Sequence, residues 1–360
     1  MRIRLSIGWL LCFIIGSTVT ARATHIVGGE VTYKCLGGNN YAITLVIYED
    51  CLTGLPEAIA EDNPAYISIF DDNNTLVKFD SIWLFKRERV PANFSNSCIN
   101  NPPPTCLLKA TFTKTYNLPN ASTGYTIVYQ RCCRNGGVRN LANPADIGAT
   151  YYCTIPSASE AACNNSAVFK NFPPQIICID NPLVYDHSAI DPDGDSLSYE
   201  FCQDYQGGSG NDVKPQPTPP PFVPVTYIGG FSATDPMGGY PQIQIDPKTG
   251  IITGTPNLEG RYSVAVCCHE WRNGVMINTV TREFQFVVTN CSKAVVADIP
   301  QLSTEYNTYI VDCKGYTVTF VTIAKVAFLT TGILAMRRTE VILPQPLNLP
   351  ILIQIREFMM

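Results

Sequence analysis

The chain has 360 residues, a net charge of −5 and only 15% charged residues, so it offers no basic stripe for phosphates, and nucleic acid is excluded as a partner. Its 15 cysteines accompany three histidines and no Cys-x-x-Cys spacing, which argues against structural zinc and for disulfides in an oxidising compartment. Val, Ile, Thr, Tyr and Phe are common, Gly and Pro are plentiful, and no long stretch repeats its apolar residues at helical spacing. The expected fold class is therefore all-β.

In chain order, Arg2 and Arg4 precede a short apolar run that ends at Ala21-Arg22-Ala23. This pattern reads as a signal peptide over residues 1–23, too short to span a membrane, with the mature protein starting at Thr24. Removing Cys12 with it leaves an even number of cysteines, as expected if all are paired. Residues 24–178 read as an N-terminal disulfide-bonded β domain. Its opening Ile26-Val27-Gly28-Gly29 looks like the start of an activated trypsin-like protease. No Ala-Ala-His-Cys or Gly-Asp-Ser-Gly-Gly follows, so no catalytic triad can be assembled.

Residues 30–35 and 41–48 predict a β-hairpin with a Gly/Asn-rich loop. Tyr41, Ile43, Leu45 and Ile47 share one face and Ala42, Thr44, Val46 and Tyr48 the other, so the second strand is expected to be covered on both sides. Further strands are expected at residues 65–70, 76–85, 107–116 and 125–133. Local disulfides are expected between Cys98 and Cys106 and between Cys153 and Cys163, each closing a short loop. The Asp180-Asn181-Pro182 stretch reads as a linker.

A second β domain is expected over residues 179–291. At its centre Asp191, Asp193 and Asp195 alternate within Asp-Pro-Asp-Gly-Asp. Two readings are open. Three like charges so close call for a cation, and hard oxygen ligands on a flexible loop suit Ca²⁺, with Asp186 the expected fourth ligand. Asp, Pro and Gly also serve turns for their own reasons. Residues 207–224, rich in Gly and Pro, read as a long inter-strand loop. Residues 242–256 predict a hairpin around Asp246-Pro247-Lys248-Thr249-Gly250. In the following strand Tyr262, Val264, Val266 and Cys268 point one way and Ser263, Ala265 and Cys267 the other.

Cys132-Cys133-Arg134-Asn135-Gly136 and Cys267-Cys268-His269-Glu270-Trp271-Arg272-Asn273-Gly274, each following a Tyr-led strand, look like one strand-and-turn used twice. Adjacent cysteines on opposite faces of a strand are expected to bridge to different partners rather than to each other.

The Asp-Pro-Asp-Gly-Asp-Ser-Leu-Ser-Tyr run from Asp191, the Ile-Asp-Pro-Lys-Thr-Gly-Ile-Ile-Thr-Gly-Thr-Pro run from Ile245 and Gly260-Arg261-Tyr262 together resemble a cadherin-like or putative Ig domain of bacterial surface proteins. The opening from Thr24 is similar to large exported multidomain proteins of Bacteroidetes. These often continue into PKD repeats and a gliding-motility or type IX secretion sorting domain. Residues 292–321 resemble the start of a PKD-like domain. No Trp-Asp-Phe-Gly-Asp and no sorting domain follow.

The resemblance implies tandem Ig-like/cadherin-like β-sandwiches in a secreted, cell-surface, non-enzymatic structural or adhesive protein, with a surface protein or polysaccharide as its ligand. A polysaccharide-binding module of a secreted carbohydrate-degrading system, using Trp83, Trp271 and exposed tyrosines, is the rival. For the apolar tail over residues 322–360 the alternatives are a reading-frame artefact or truncation and a weak membrane anchor. Lys325 in mid-span and several threonines count against the anchor.

Overall fold

The computed structural model describes residues 25–92, 94, 103–119 and 124–291, together with the strands Thr308–Cys313, Tyr316–Val321, Val326–Ala327 and Ala335–Met336. The expected signal peptide, Cys12, Cys98 and most of the apolar tail lie outside the described residues. The chain divides into two units, Met1–Ser292 and Lys293–Met360. In the second, Thr308–Cys313 and Tyr316–Val321 pair as an antiparallel hairpin.

The first unit is nearly all β. Its strands, in order, are β1 (Ile26–Gly37), β2 (Asn40–Asp50), β3 (Ala65–Asp71), β4 (Leu76–Ile82), β5 (Leu84–Arg89), β6 (Leu107–Asn117), β7 (Tyr125–Arg131) and β8 (Ala149–Ile155). There follow β9 (Val168–Phe169), β10 (Ile176–Cys178), β11 (Leu183–Asp186), β12 (Ala189–Ile190), β13 (Ser196–Cys202), β14 (Gln244–Ile245), β15 (Ile251–Gly254), β16 (Gly260–Arg272) and β17 (Val275–Thr289). Among the described residues one short helix, α1 (Pro56–Glu61), opens with proline at its first turn, where the missing N–H costs nothing.

A 12-stranded sheet runs β4-β3-β7-β8-β17-β1-β2-β6-β5, with β10 and β16 also paired to β17 and β13 paired to β16. β4 and β5 stand at opposite ends of this path yet are separated in sequence by Trp83 alone. The sheet therefore curls until its ends are joined by the chain itself. Asp80 of β4 adds to the seam, accepting from Lys114 Nζ at 2.7 Å and Tyr116 Oη at 3.2 Å on β6.

The expected β1/β2 hairpin is present, and Ile43, Leu45 and Ile47 are fully buried inside the curl with Ile67, Phe112, Ile127 and Tyr129. On the other face of β2, Val46 and Tyr48 are covered by Val27, Leu107 and Phe172. The Asp246 turn also forms as read, and it closes a separate small sheet, β11-β15-β14.

Tyr262, Val264, Val266 and Cys268 share one buried face, where they meet Phe284, Phe286 and Val288 of β17 in a second core. β16 and β17 form one long hairpin whose turn, Asn273-Gly274, places both residues at positive φ. Asn and Gly accept that conformation more readily than other residues.

The architecture corrects the expected tandem sandwiches. β17 pairs with β1 on one side, Gly29 opposite Glu283 and Glu30 opposite Arg282, and meets β8 through Val280 and Cys153. It also runs parallel to β10. A single, nearly closed sheet thus draws strands from both sides of the stretch read as a linker, which itself lies outside the strands between β10 and β11. Gly28 and Gly29 make this approach possible. A Cβ at Gly28 would overlap the Glu283 carbonyl, and one at Gly29 would strike the Tyr151 ring.

The cysteines pair differently from expectation. Bonds join Cys35 with Cys163, Cys51 with Cys106, Cys132 with Cys133, Cys178 with Cys291 and Cys202 with Cys267. Cys106 takes Cys51 because the β2/β6 register, Asp50 opposite Leu107, carries those two residues past the strand ends together. Cys163 lies beside β1, since Ser166 and Asn165 accept from the backbone N–H groups of Tyr33 and Cys35. Cys153 is left inside the first core, and Cys153 and Cys268 are free and buried. Burial pushes the Cys268 thiol up to about 12 and Cys153 higher still, as expected of inert core thiols.

The bond between Cys132 and Cys133 overturns the expectation of different partners, and the two stretches are not one unit repeated. The chain leaves β7 at Arg131, so strand alternation no longer governs Cys132 and Cys133, whereas β16 continues in register to Arg272.

Candidate functional site

The strand pair β12/β9 and the pairing of β13 with β16 fix the two ends of the loop over residues 191–195. Within it Asp191 Oδ1 accepts from the backbone N–H of Asp193 at 2.8 Å and of Asp195 at 3.0 Å, and Gly194 takes φ +83°. The side chain thus winds the loop around itself. One oxygen from each of Asp191, Asp193 and Asp195 lies within 4.8 Å of the others.

Neighbouring segments already meet two of these carboxylates. Both oxygens of Asp195 accept from Arg272, from Nε at 2.8 Å and from Nη2 at 2.7 Å, a two-point pairing of guanidinium and carboxylate. Nη2 also donates to Asn164 Oδ1 at 2.8 Å and lies 3.6 Å from Asp193. Asp193 accepts from the backbone and side-chain nitrogens of Asn165, each at 2.7 Å. Asp191 Oδ2 alone is buried without a hydrogen-bond partner. Burial raises the Asp191 carboxyl above its usual range, backbone N–H groups oppose the rise, and the charges of Asp195 and Asp193 add to it.

Behind the loop lies Glu270, fully buried on β16 and pushed up to about 7, chiefly by burial. Its oxygens accept from Ala167 N at 2.7 Å, Asn164 Nδ2 at 2.9 Å and Asn278 Nδ2 at 3.1 Å.

The donor set fits a hard cation in part. Asp191 Oδ2 is the oxygen left over, and Ca²⁺, which takes six to eight oxygens, would have to share Asp193 and Asp195 with Arg272. Asp186 does not join the three. It is exposed on β11 and accepts from Ser188 N at 2.9 Å, and the bonds from Ser188 hold its carboxyl below the usual range.

The two tryptophans named for sugar stacking separate. Trp271 is half-buried and donates through Nε1 to Ser198 at 2.8 Å, which ties it to β13. Trp83 is 64% exposed at the seam between β4 and β5, with Phe85 77% and Phe79 44% exposed nearby in sequence. Phe79 packs edge-on against Tyr66, 5.7 Å between ring centres.

Buried ion pairs were not read from the sequence. Arg282 grips Glu30 across the β1/β17 pairing, at 2.8 and 2.9 Å. Arg134 grips Glu283 at 2.6 and 3.1 Å. Arg131 and His25 share Asp62, at 2.6 and 2.7 Å. The signal was a charge inside an apolar alternation, as in Arg282-Glu283 ahead of Phe284 and Phe286. Such a residue is kept inside a core only when it is paired.

Comparison of the chain with protein families, curated proteins and solved structures returned no match.

Proposed function

We propose that this chain is an exported, non-enzymatic structural or adhesive module of a cell surface. The observation that carries the reading is the exposure of Phe79, Trp83 and Phe85 along β4 and β5 and the residue between them, in a fold whose distant segments are tied by four disulfides beside the adjacent Cys132–Cys133 pair. Large aromatic side chains exposed along one short stretch of chain are candidates for an interaction site, and such a density of bridges fits an oxidising, extracellular setting. The finer assignment of residues 179–291 as a cadherin-like or Ig-like part, now built into a larger sheet, belongs to this proposal. So does membership of a Bacteroidetes surface protein.

The polysaccharide-binding reading draws on the same side chains, because an exposed indole is a stacking platform for a sugar ring. One experiment separates the two. The protein and a Trp83→Ala/Phe85→Ala variant are compared on a glycan array and on whole cells. The variant should lose binding by about tenfold while its stability stays within about 0.5 kcal/mol, since both side chains are exposed. Cell binding with a flat array supports a protein ligand, and binding confined to one sugar class supports the rival. Absence of binding in both arms, or a variant that binds as the parent does, overturns the proposal.

Calcium at Asp191, Asp193 and Asp195 is part of the proposed role, stiffening the loop that Asn165 and Arg272 clamp from two sides. Binding to the folded state alone adds about 2.7 kcal/mol at a hundredfold excess over Kd. Millimolar Ca²⁺ should therefore raise the melting temperature of the parent and leave Asp193→Ala unmoved. If neither responds, or both respond equally, the carboxylates serve only Arg272 and Asn165.

A further inference from the structure

A cavity of about 110 Å³ lies between β1, the start of β6, the end of β17 and the segment from Phe172 to Ile176. Val27, Leu107, Phe172 and Val287 give it apolar walls, and Arg261 and Asp50 stand at its polar end. The two charges are not equally committed. Asp50 Oδ1 accepts from the backbone N–H of Leu52 at 2.8 Å and of Thr53 at 3.0 Å. Asp50 Oδ2 accepts from Thr53 Oγ1 at 2.7 Å, Asn135 Nδ2 at 3.1 Å and Arg261 Nη1 at 3.1 Å. Its acceptor capacity is spent.

Arg261 gives that single bond, and its Nε and Nη2 make none among the described residues. A guanidinium with unused donors, beside an apolar hollow, is a site for an anion that carries an apolar body. The volume limits that body. A dry cavity of roughly 150 Å³ encloses benzene whole, so this smaller hollow holds a ring only in part, with its charged group standing out toward Arg261, whose side chain is 26% exposed.

We propose that this cavity binds a small apolar monocarboxylate of about the size of benzoate, with the carboxylate on Arg261 and the apolar body between Val27 and Phe172. The site lies on other strands than Phe79, Trp83 and Phe85, so its failure would leave the adhesive reading untouched.

Ligand-observed NMR titrations of the oxidised chain with benzoate, benzamide and benzylamine test the proposal. Benzoate should bind saturably, benzamide about tenfold more weakly and benzylamine not at all, because a charge-assisted bond to Arg261 is the discriminating contact. Arg261→Gln should weaken benzoate by about tenfold. Leu52→Trp, at a half-exposed position on the cavity wall, should block entry without touching Arg261. If Arg261→Gln fails to fold, Leu52→Trp decides. No saturable benzoate binding, equal binding of benzamide, or full affinity in a folded variant overturns the proposal.

Discussion

Arg134→Met should cost about 3 to 5 kcal/mol of folding stability, the range for breaking a buried ion pair from one side. Arg134 is fully buried between the two halves of the sheet. It donates to both oxygens of Glu283 and to the Gly148 and Tyr205 carbonyls. Methionine fills much of the volume but leaves Glu283, and Asp204 close by, without a cation. Burial already pushes the Glu283 carboxyl up, and Arg134 is what opposes it. With the arginine gone, Glu283 should fold as the neutral acid.

The sign of the pH dependence follows. A carboxyl whose folded pKa lies above its unfolded value favours folding at low pH, and that contribution is lost as pH rises through the folded value. The cost of Arg134→Met should therefore be largest at mildly alkaline pH and shrink as the pH falls toward the ordinary carboxylate range. Urea denaturation at both ends checks this. A loss below about 1 kcal/mol at alkaline pH would mean that the pair contributes little beyond its own desolvation.

Removing the bond between Cys35 and Cys163 in a double alanine variant should cost about 4 to 5 kcal/mol. The bond closes a loop of 128 residues, and a loop of that order restricts the unfolded chain by about this much. It also has a local consequence. Cys163 leads directly into Asn164 and Asn165, which hold Arg272 and Asp193. Loosening it should free the acidic loop, so the variant should lose any Ca²⁺-induced rise in melting temperature together with its stability. Chemical denaturation and a melting series in Ca²⁺ report the two effects separately. A cost below about 1 kcal/mol would show that the backbone bonds of Tyr33 and Cys35 to this segment suffice.

Local structure was readable where side-chain alternation and turn chemistry agree. The β1/β2 hairpin, the Asp246 turn and the shared face of Tyr262, Val264, Val266 and Cys268 each follow from a few neighbouring residues. The placing of β17 was not readable. Val280, Phe284 and Phe286 look the same whether their strand ends a small sandwich or enters a larger sheet between β8 and β1. The choice lies in contacts some 250 residues apart, such as Glu30 with Arg282.

Cysteine spacing misled for a related reason. Cys98 with Cys106 and Cys153 with Cys163 are near in sequence, but register sets Cys106 against Cys51 and turns Cys153 into the core. The acidic cluster was visible as a cluster. Its partners, Arg272 and Asn165, come from strands and loops that no local pattern connects to it.

β17 is shared between the strands before the 180–182 stretch and those after it, and the most direct measurement of this is the folding of residues 179–291 alone, followed by amide NMR and thermal unfolding. That piece keeps Cys202 and Cys267 but loses β1, β8 and β10 from the flanks of β17, and it strips Arg282 and Glu283 of Glu30 and Arg134. It should show collapsed amide dispersion and no cooperative transition, while residues 24–291 together unfold in one. A dispersed spectrum and a cooperative transition from residues 179–291 by themselves would contradict the single-sheet account and restore the tandem one.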